Sequence, residues 1–298
     1  MLDDIRLFQL TNVLVYAVAL LGLNLLVGYN GQISLGHGAF YAVGAYVAAI
    51  LVAHGGVAHW LAVPLGGLAG FVAGALAGLP ILHLGQMHLA MATFALGAVI
   101  PKLAQHRTVE TWTGGSQGIA LDALDVPFGL PLSFDQWWYL FTLATLAVLL
   151  MLASNLMRGR MGRAVVAIRD QPVAAETLGI RTTRCKLTVF AVSALYAGVA
   201  GALAAVSIRY VAPGLFGTFL SFAFLIGIAV GGIGSLAGAV YGALFLQLLQ
   251  FGAGQVAHAV PAVPLFAIYG IALILSLHLA PDGIAGFLAR MTQSRRDR

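Results

Sequence analysis

Two long stretches of this chain contain no charged side chain. Residues 7–101 give 95 consecutive positions without Asp, Glu, Lys or Arg, and residues 210–281 give another 72. A helix needs about 20 mostly apolar residues to cross a hydrocarbon core ~30 Å thick. Each stretch is therefore long enough for several crossings, and the pattern predicts a polytopic, all-α integral membrane protein.

Short polar or glycine-rich interruptions divide the apolar sequence into nine predicted spans. In chain order they cover residues 11–27, 35–53, 60–84, 86–103, 138–156, 187–208, 216–230, 236–250 and 263–279. All of them are assigned to a single transmembrane domain, residues 1–298. A re-entrant interruption or a halved span would change the number to eight or ten.

The composition excludes a soluble globular protein. The chain has 298 residues, of which 60% are hydrophobic and 8% are charged, whereas soluble domains carry about 25% charged residues. Its 37 glycines suit close helix packing in lipid, where small residues let two backbones approach each other. The single cysteine, Cys185, excludes an internal disulfide and a cysteine-based metal cluster.

The distribution of charge predicts which segments lie on each side of the membrane. Residues 158–186 hold seven of the fifteen basic residues against Asp170 and Glu176, and the tail, residues 282–298, holds four arginines. The positive-inside rule places both in the cytoplasm, where the anionic inner leaflet, rather than nucleic acid, accounts for the basic charge. Residues 104–137 carry four acids against one arginine and are predicted to form the main outer loop, with all four tryptophans at the outer interface.

Residues 158–186, which we call the basic loop, also show a pattern of folded structure. Residues 161–168 have helical spacing of apolar positions. Asp170 or Gln171 can cap a second short helix, with Pro172 in its first turn and Gly179 ending it in the left-handed conformation. The alternative is a solvated loop whose positive charge only determines the orientation of the chain in the membrane. Two capped amphipathic turns favour a docking surface instead.

The run GRAVVAIRDQPVAAETLGI, residues 162–180, is similar to the cytoplasmic coupling loop of the LivM-type permeases, which are subunits of branched-chain amino acid ABC importers. In that family the loop presents a short helix to the ATP-hydrolysing subunit. The resemblance and the charge pattern together imply the following ATPase-coupling residues: Arg163, Arg169, Asp170, Glu176 and Gly179. We expect Val165, Ile168 and Leu178 to seat the loop on the rest of the chain.

The most informative apolar stretch is GYNGQISLGHGAFYAVGAYVAA, residues 28–49. Irregular backbone at membrane depth is tolerated only where it is buried in protein or lines a wet cavity. The alternative is a helix start capped by Asn30 or Ser34 and packed through its glycines. The stretch resembles the LivM signature GYxGQxSLGHxAFxxxGAY, which implies that these residues lie in the subunit core near the translocation path: Asn30, Gln32, Ser34, Gly36 and His37.

A second glycine-rich interruption, VGGIGSLAGAVYGA at residues 230–243, resembles the family's GGxGSxxGxxxGA run. It adds Gly232, Gly234 and Ser235 to the predicted core or path, although such glycines are first of all packing residues. Residues 31–35 and 232–236 are also weakly similar to each other in sequence, as the two halves of an internal duplication would be.

The sequence predicts neither a catalytic site nor a metal site, and no cofactor. A G-x-S-x-G run within residues 113–118 would follow a buried strand in a serine hydrolase, but here it lies in a polar loop, so Ser116 is predicted to be a turn residue. His83 and His88 are five apart and no H-E-x-x-H occurs. Neither Lys102 nor Lys186 follows a glycine, so there is no P-loop and ATP hydrolysis is expected in partner subunits.

The pattern and the resemblance together predict the permease subunit of an ABC importer for branched-chain or other apolar amino acids in the bacterial inner membrane. By the resemblance, its partners are a second related permease, as a heterodimer rather than a homodimer, two ABC ATPase subunits and a soluble substrate-binding protein. A urea or short-chain amide permease of the same family is the alternative. A secondary transporter or channel is less favoured, because such proteins usually rely on charged intramembrane residues.

Overall fold

The computed structural model describes residues 4–81, 86–122, 125–127, 131–259, 270–271, 274–275, 278 and 283–296, and within them most residues are helical. The helices are α1 Asp4–Asn24, α2 His37–Ala53, α3 His59–Ile81, α4 Gln86–Leu103, α5 Glu110–Thr113, α6 Phe134–Arg158, α7 Arg160–Asp170, α8 Pro172–Thr177, α9 Thr182–Ile208, α10 Thr218–Gly231, α11 Leu236–Ala259 and α12 Gly283–Arg296. Two short strands, β1 Ile119–Ala120 and β2 Tyr210–Val211, pair antiparallel. The predicted all-α fold class is confirmed.

Among the residues that the structure describes, four segments are long and apolar enough to cross a membrane, namely Ile5–Tyr29, His59–Ile81, Phe134–Arg158 and Thr182–Ile208. Shorter apolar helices cover His37–Ala53, His88–Leu103, Thr218–Gly231 and Leu236–Gly252. Each of these segments overlaps one of the predicted spans, in the same order along the chain. Most of the predicted span 263–279 lies outside the described residues. The chain is a multi-pass membrane protein.

Helix α9 forms the centre of the fold, with α1, α2 and α3 packed around it. In its apolar window 89% of the positions are buried, against 22% in the corresponding window of α6. Lipid chains are as apolar as leucine, so helices in a bilayer associate through close packing rather than through the hydrophobic effect. The alanines and glycines that fill α9 allow this close packing on every side.

Glycines bring the neighbouring backbones into direct contact with α9. A Cβ added at Gly201 would meet the carbonyl oxygen of Tyr41 and would lie 3.0 Å from the backbone nitrogen of Ala45, both on α2. A Cβ added at Gly198 would lie 2.6 Å from the carbonyl oxygen of Gly66 on α3. Because these neighbours are backbone atoms, no side-chain rotation could make room for a methyl group.

One end of α9 is fastened to the long loop 104–137. Strand β2 directly follows Arg209, and the Leu121 N–H donates a 2.9 Å hydrogen bond to the Arg209 carbonyl. Arg209 adopts a left-handed conformation with φ 58°, and its guanidinium carbon lies 4.6 Å from the centre of the Phe134 ring. The loop that the charge pattern predicts to lie outside is therefore joined to the central helix by backbone and side-chain contacts.

Among the tryptophans predicted at the outer interface, Trp138 is buried within the protein. Its side chain is 2% exposed, and its indole N–H donates a 3.3 Å hydrogen bond to the Leu203 carbonyl on α9. Trp112, by contrast, is 56% exposed. This indole fills space between α6 and α9 and finds its hydrogen-bond acceptor there, and its position at the outer interface stays a prediction.

Candidate coupling site at two helix breaks and the basic loop

The first helix break, residues 28–36, separates α1 from α2. Helix α1 continues as a π-helical segment, Leu25–Tyr29, and the chain is then irregular until His37. A π-helical turn is rare and frequently marks a functional site. The predicted polar residues of this break are all buried, with exposed fractions of 4% or less: Asn30, Gln32, Ser34 and His37.

Side chains from other helices accept hydrogen bonds from backbone N–H groups in and next to this break. The Gly38 N–H donates to the Ser221 hydroxyl on α10 at 3.0 Å, and the Leu35 N–H donates to the Thr93 hydroxyl on α4 at 3.1 Å. The N-cap position of α2 is Gly36, and no side chain of its own segment caps it. The alternative interpretation, a helix start capped by Asn30 or Ser34, is therefore wrong, and the Ser34 hydroxyl accepts only from the Gly36 N–H, at 3.4 Å, among the described residues. A hydroxyl from a distant helix accepts from the second residue of α2 instead.

Asn30 and His37 make contacts inside the protein. The Asn30 Nδ2 donates a 2.7 Å hydrogen bond to Gln32 Oε1. The His37 Nε2 lies 3.1 Å from the Ala19 carbonyl oxygen on α1. In this chain these groups belong to the packed core of the break, which agrees with one of the two situations that irregular backbone at membrane depth requires.

The second helix break, residues 231–235, joins α10 to α11 beside the first. Gly232 and Gly234 have φ values of 122° and 81°, a region that favours glycine. The Asn24 side chain on α1 spans the gap between the breaks. Its Nδ2 donates to the Ser235 carbonyl at 2.6 Å, and its Oδ1 accepts from the Gly234 N–H at 2.8 Å. The end of α1 is thus hydrogen-bonded to the second break.

The basic loop folds into the two predicted helices, α7 and α8. Val165 and Ile168 are 0% and 2% exposed and seat α7, as predicted. Gly179 has φ 82°, its N–H donates to the Glu176 carbonyl at 2.9 Å, and the Ile180 N–H donates to the Ala175 carbonyl at 3.1 Å. This pair of bonds is the Schellman arrangement. The left-handed conformation expected of Gly179 is confirmed.

Two details of the basic loop differ from the expectation. Gln171 occupies the N-cap position of α8 without a side-chain hydrogen bond, although Pro172 stands in the first turn as predicted. Leu178 is 79% exposed, so the prediction that it seats the loop is wrong. The Schellman turn ends the helix at this point and carries Leu178 outward. Val173 is also exposed, at 74%.

Arg169 connects the basic loop to the first break. Its Nη1 donates to the Gly28 carbonyl at 2.8 Å, and its Nε lies 2.9 Å from Asp170 Oδ1. A Cβ added at Gly31, where φ is 70°, would lie 2.8 Å from Arg169 Cγ. The guanidinium is therefore directed towards α1, whereas charge pattern alone suggested an outward side chain.

The other predicted coupling residues make contacts within the loop. Arg163 donates to the Arg158 carbonyl at 3.2 Å, and Glu176 accepts from the Thr182 hydroxyl at 2.8 Å. The start of α12 also reaches this region, because a Cβ added at Gly283 would lie 2.5 Å from Gly232 Cα. The basic loop, both breaks and the last described helix therefore meet at one place.

Sequence reasoning missed Asn24. An amide within the apolar run Val13–Val27 is the signal that could have found it, because polar side chains at membrane depth need partners. The sequence does not reveal which distant backbone group supplies those partners.

The G-x-S-x-G run is a turn, as predicted. Gly114, Gly115 and Gly118 have φ values of 70°, 55° and 77°, and Ser116 between them is exposed. No group of three metal-ligating side chains occurs among the described residues, and His83 lies outside them.

Comparison with known proteins gives consistent matches. The family model described as "Branched-chain amino acid transport system / permease component" matches residues 5–277. The high-affinity branched-chain amino acid transport system permease protein LivM of Salmonella typhimurium (strain LT2) is 36% identical over 260 residues, which cover 79% of this chain and 60% of that protein. LivM of Escherichia coli (strain K12) is 35% identical with the same coverage. The permease protein LivH of that strain is 27% identical over 289 residues, or 91% of each chain.

The chain thus spans 60% of the length of the LivM relatives that it matches. No solved structure gives a significant match.

Proposed function

This chain belongs to the branched-chain amino acid transport system permease component family, and on that premise we propose that it is the membrane-spanning subunit of an ATP-driven importer for branched-chain or other apolar amino acids. We place it in a bacterial inner membrane. Nine crossings, including residues 263–279, put the basic loop and the tail in the cytoplasm and residues 104–137 outside.

The importer requires partners, because this chain carries no P-loop to bind ATP. In Escherichia coli (strain K12), LivM and LivH are both permease proteins of a high-affinity branched-chain amino acid transport system, and both are similar to this chain. That pairing favours a heterodimer of two related permeases. Two ABC ATPase subunits on the cytoplasmic side and a soluble substrate-binding protein on the outer side complete the proposed complex.

The observation that carries the proposal is the shape of the basic loop. Val165 and Ile168 fix α7 against the bundle, while α8 presents the exposed side chains of Val173 and Leu178. The loop therefore offers two exposed apolar side chains beside its charged ones. We propose that they form the surface on which an ATPase subunit docks.

The direct test is uptake of radiolabelled leucine by cells that lack the chromosomal copy and carry this gene on a plasmid. We expect uptake that is competed by unlabelled isoleucine and valine and not by urea. Uptake should disappear when the P-loop lysine of the partner ATPase is replaced. Competition by urea or a short-chain amide alone would contradict the substrate class, and uptake that survives loss of the ATPase would contradict the importer.

The sidedness can be tested with single cysteines in a Cys185→Ser background. Ser116 and Thr183 are both exposed, on the proposed outer and inner faces. An impermeant maleimide applied to spheroplasts should label Ser116→Cys at once and Thr183→Cys only after permeabilisation. Labelling of Thr183→Cys in sealed spheroplasts would contradict the assigned topology.

Leu178→Ala tests the docking surface. Truncating a residue that dominates an interface costs about 2 kcal/mol, so we expect the affinity of this variant for the ATPase subunit to fall roughly 30-fold and less ATPase subunit to be retained on affinity purification, since every 1.4 kcal/mol is about tenfold. The matched control is Leu152→Ala, because Leu152 is also an exposed leucine, at 54%, but lies on α6 within a proposed membrane span and not in the basic loop. Equal retention by the two variants would exclude Leu178 from the interface.

A further inference from the structure

We infer that Asn24 is a positioning residue, which joins the two helix breaks into a single unit so that movement of the basic loop reaches α1, α10 and α11 together. The inference rests on the proposed function, because the movement is the one that ATP binding would impose on the loop.

The Asn24 side chain is fully buried, and its two polar atoms both bond to the second break. An amide buried in an apolar setting without partners costs several kcal/mol on transfer scales. Here the partners are the N–H of Gly234 and the C=O of Ser235, which lie 210 and 211 residues further along the chain. One side chain therefore fixes both the position and the orientation of the second break.

Gly28 provides the space that this arrangement needs. A Cβ at Gly28 would collide with Asn24 Oδ1 and would lie 2.5 Å from the Gly234 nitrogen. The absence of a side chain lets the last turn of α1 touch the second break directly. The same residue offers its carbonyl to Arg169 at 2.8 Å. Gly28 is therefore in contact with the second break on one side and with the basic loop on the other.

These contacts form a short physical path. It runs from Arg169 on α7 to Gly28, and from Gly28 and Asn24 to Gly234 and Ser235 at the start of α11. Coupling between distant sites requires such a connected network together with an element that has two arrangements. The hydrogen bonds from Asn24 and the close approach of Gly28 to Gly234 connect the two breaks and satisfy the first requirement. Because the two breaks are rigidly connected, we expect their backbones to change conformation together rather than separately.

The experiment uses the purified complex with its ATPase subunits in proteoliposomes and measures radiolabelled leucine transported per ATP hydrolysed. Asn24→Leu keeps a similar volume and removes both hydrogen bonds. We expect it to assemble and hydrolyse ATP, while the ratio of leucine to ATP falls by roughly 5- to 150-fold, the range of typical coupling free energies. Thr11→Val is the matched control, because Thr11 is buried on the same helix and bonds only the Leu7 carbonyl of that helix. It should leave the ratio unchanged.

A second measurement separates coupling from a merely structural tie. Arg169→Gln interrupts the same path at its other end, so the double variant with Asn24→Leu should lower the ratio no further than the worse single variant. Additive effects, or a loss of transport and hydrolysis in proportion to the yield of folded complex, would overturn the inference. So would a wild-type ratio in Asn24→Leu. A wild-type complex without ATP-dependent leucine uptake would instead refute the proposed function, and the inference with it.

Discussion

Gly201→Ala will strongly destabilise the folded subunit, although it adds a single methyl group. That methyl would collide with the Tyr41 carbonyl and would lie 3.0 Å from the Ala45 nitrogen. Overpacking of a close-packed core costs about 1–3 kcal/mol, and here α2 as a whole must move because the opposing atoms are backbone. A change of one or two kcal/mol already alters the folded-to-unfolded ratio by about 5- to 30-fold. The measurement is the thermal midpoint and the monodisperse yield in mild detergent.

Gly217→Ala is the control for this prediction. Gly217 has φ −61°, and nothing lies within 4 Å of an added Cβ. The same chemical change should therefore leave both the midpoint and the yield near those of the unmodified chain. If Gly201→Ala matched Gly217→Ala, the close approach of α2 to α9 would be refuted.

Gly179→Val will abolish most leucine uptake while the chain still inserts into the membrane. A left-handed conformation costs an ordinary L-residue about 1–2 kcal/mol, and a β-branched side chain is the least suited to it. If the backbone at residue 179 leaves the left-handed conformation to relieve this strain, the hydrogen bonds donated by the N–H groups of residues 179 and 180 at the end of α8 are lost. Leu178 is then displaced. The measurement is uptake in complemented cells, normalised to the amount of subunit in the membrane.

Gly179→Asn separates backbone strain from bulk. An added Cβ at this position has nothing within 4 Å, so crowding is not the cause of the expected loss. Asparagine visits the left-handed region more readily than other non-glycine residues, and this variant should keep most of the uptake. Full uptake by Gly179→Val would show that the loop only sets topology.

The order and position of the helices could be predicted because the change from apolar to polar composition is abrupt. The predicted span 35–53 corresponds to α2, His37–Ala53, and the predicted span 138–156 lies within α6, Phe134–Arg158. The faces along which helices pack could not be predicted. Lipid and protein are both apolar, so a helix such as α9 carries no polar stripe that would mark its buried side.

The candidate site could be predicted in outline but not in its connections. The glycine-rich breaks, the two helices of the basic loop and the Gly179 turn are local features with local sequence signals. The partners of Asn24 and the acceptor for Arg169 are backbone groups at separations of 211, 210 and 141 residues. A backbone carbonyl or N–H is present at nearly every position, and so the sequence contains no mark that identifies the one a side chain will bind.

The burial of α9 also has a consequence for the order of events during synthesis. Helices α1, α2 and α3 are made first, and the chain between Ile81 and Thr182 must follow before α9 emerges. At ~5–20 residues per second this interval lasts roughly 5–20 s. Throughout it, the glycine-lined faces of α2 and α3 have only lipid or the insertion machinery as neighbours. Insertion of these early helices and their packing around α9 are thus separate steps.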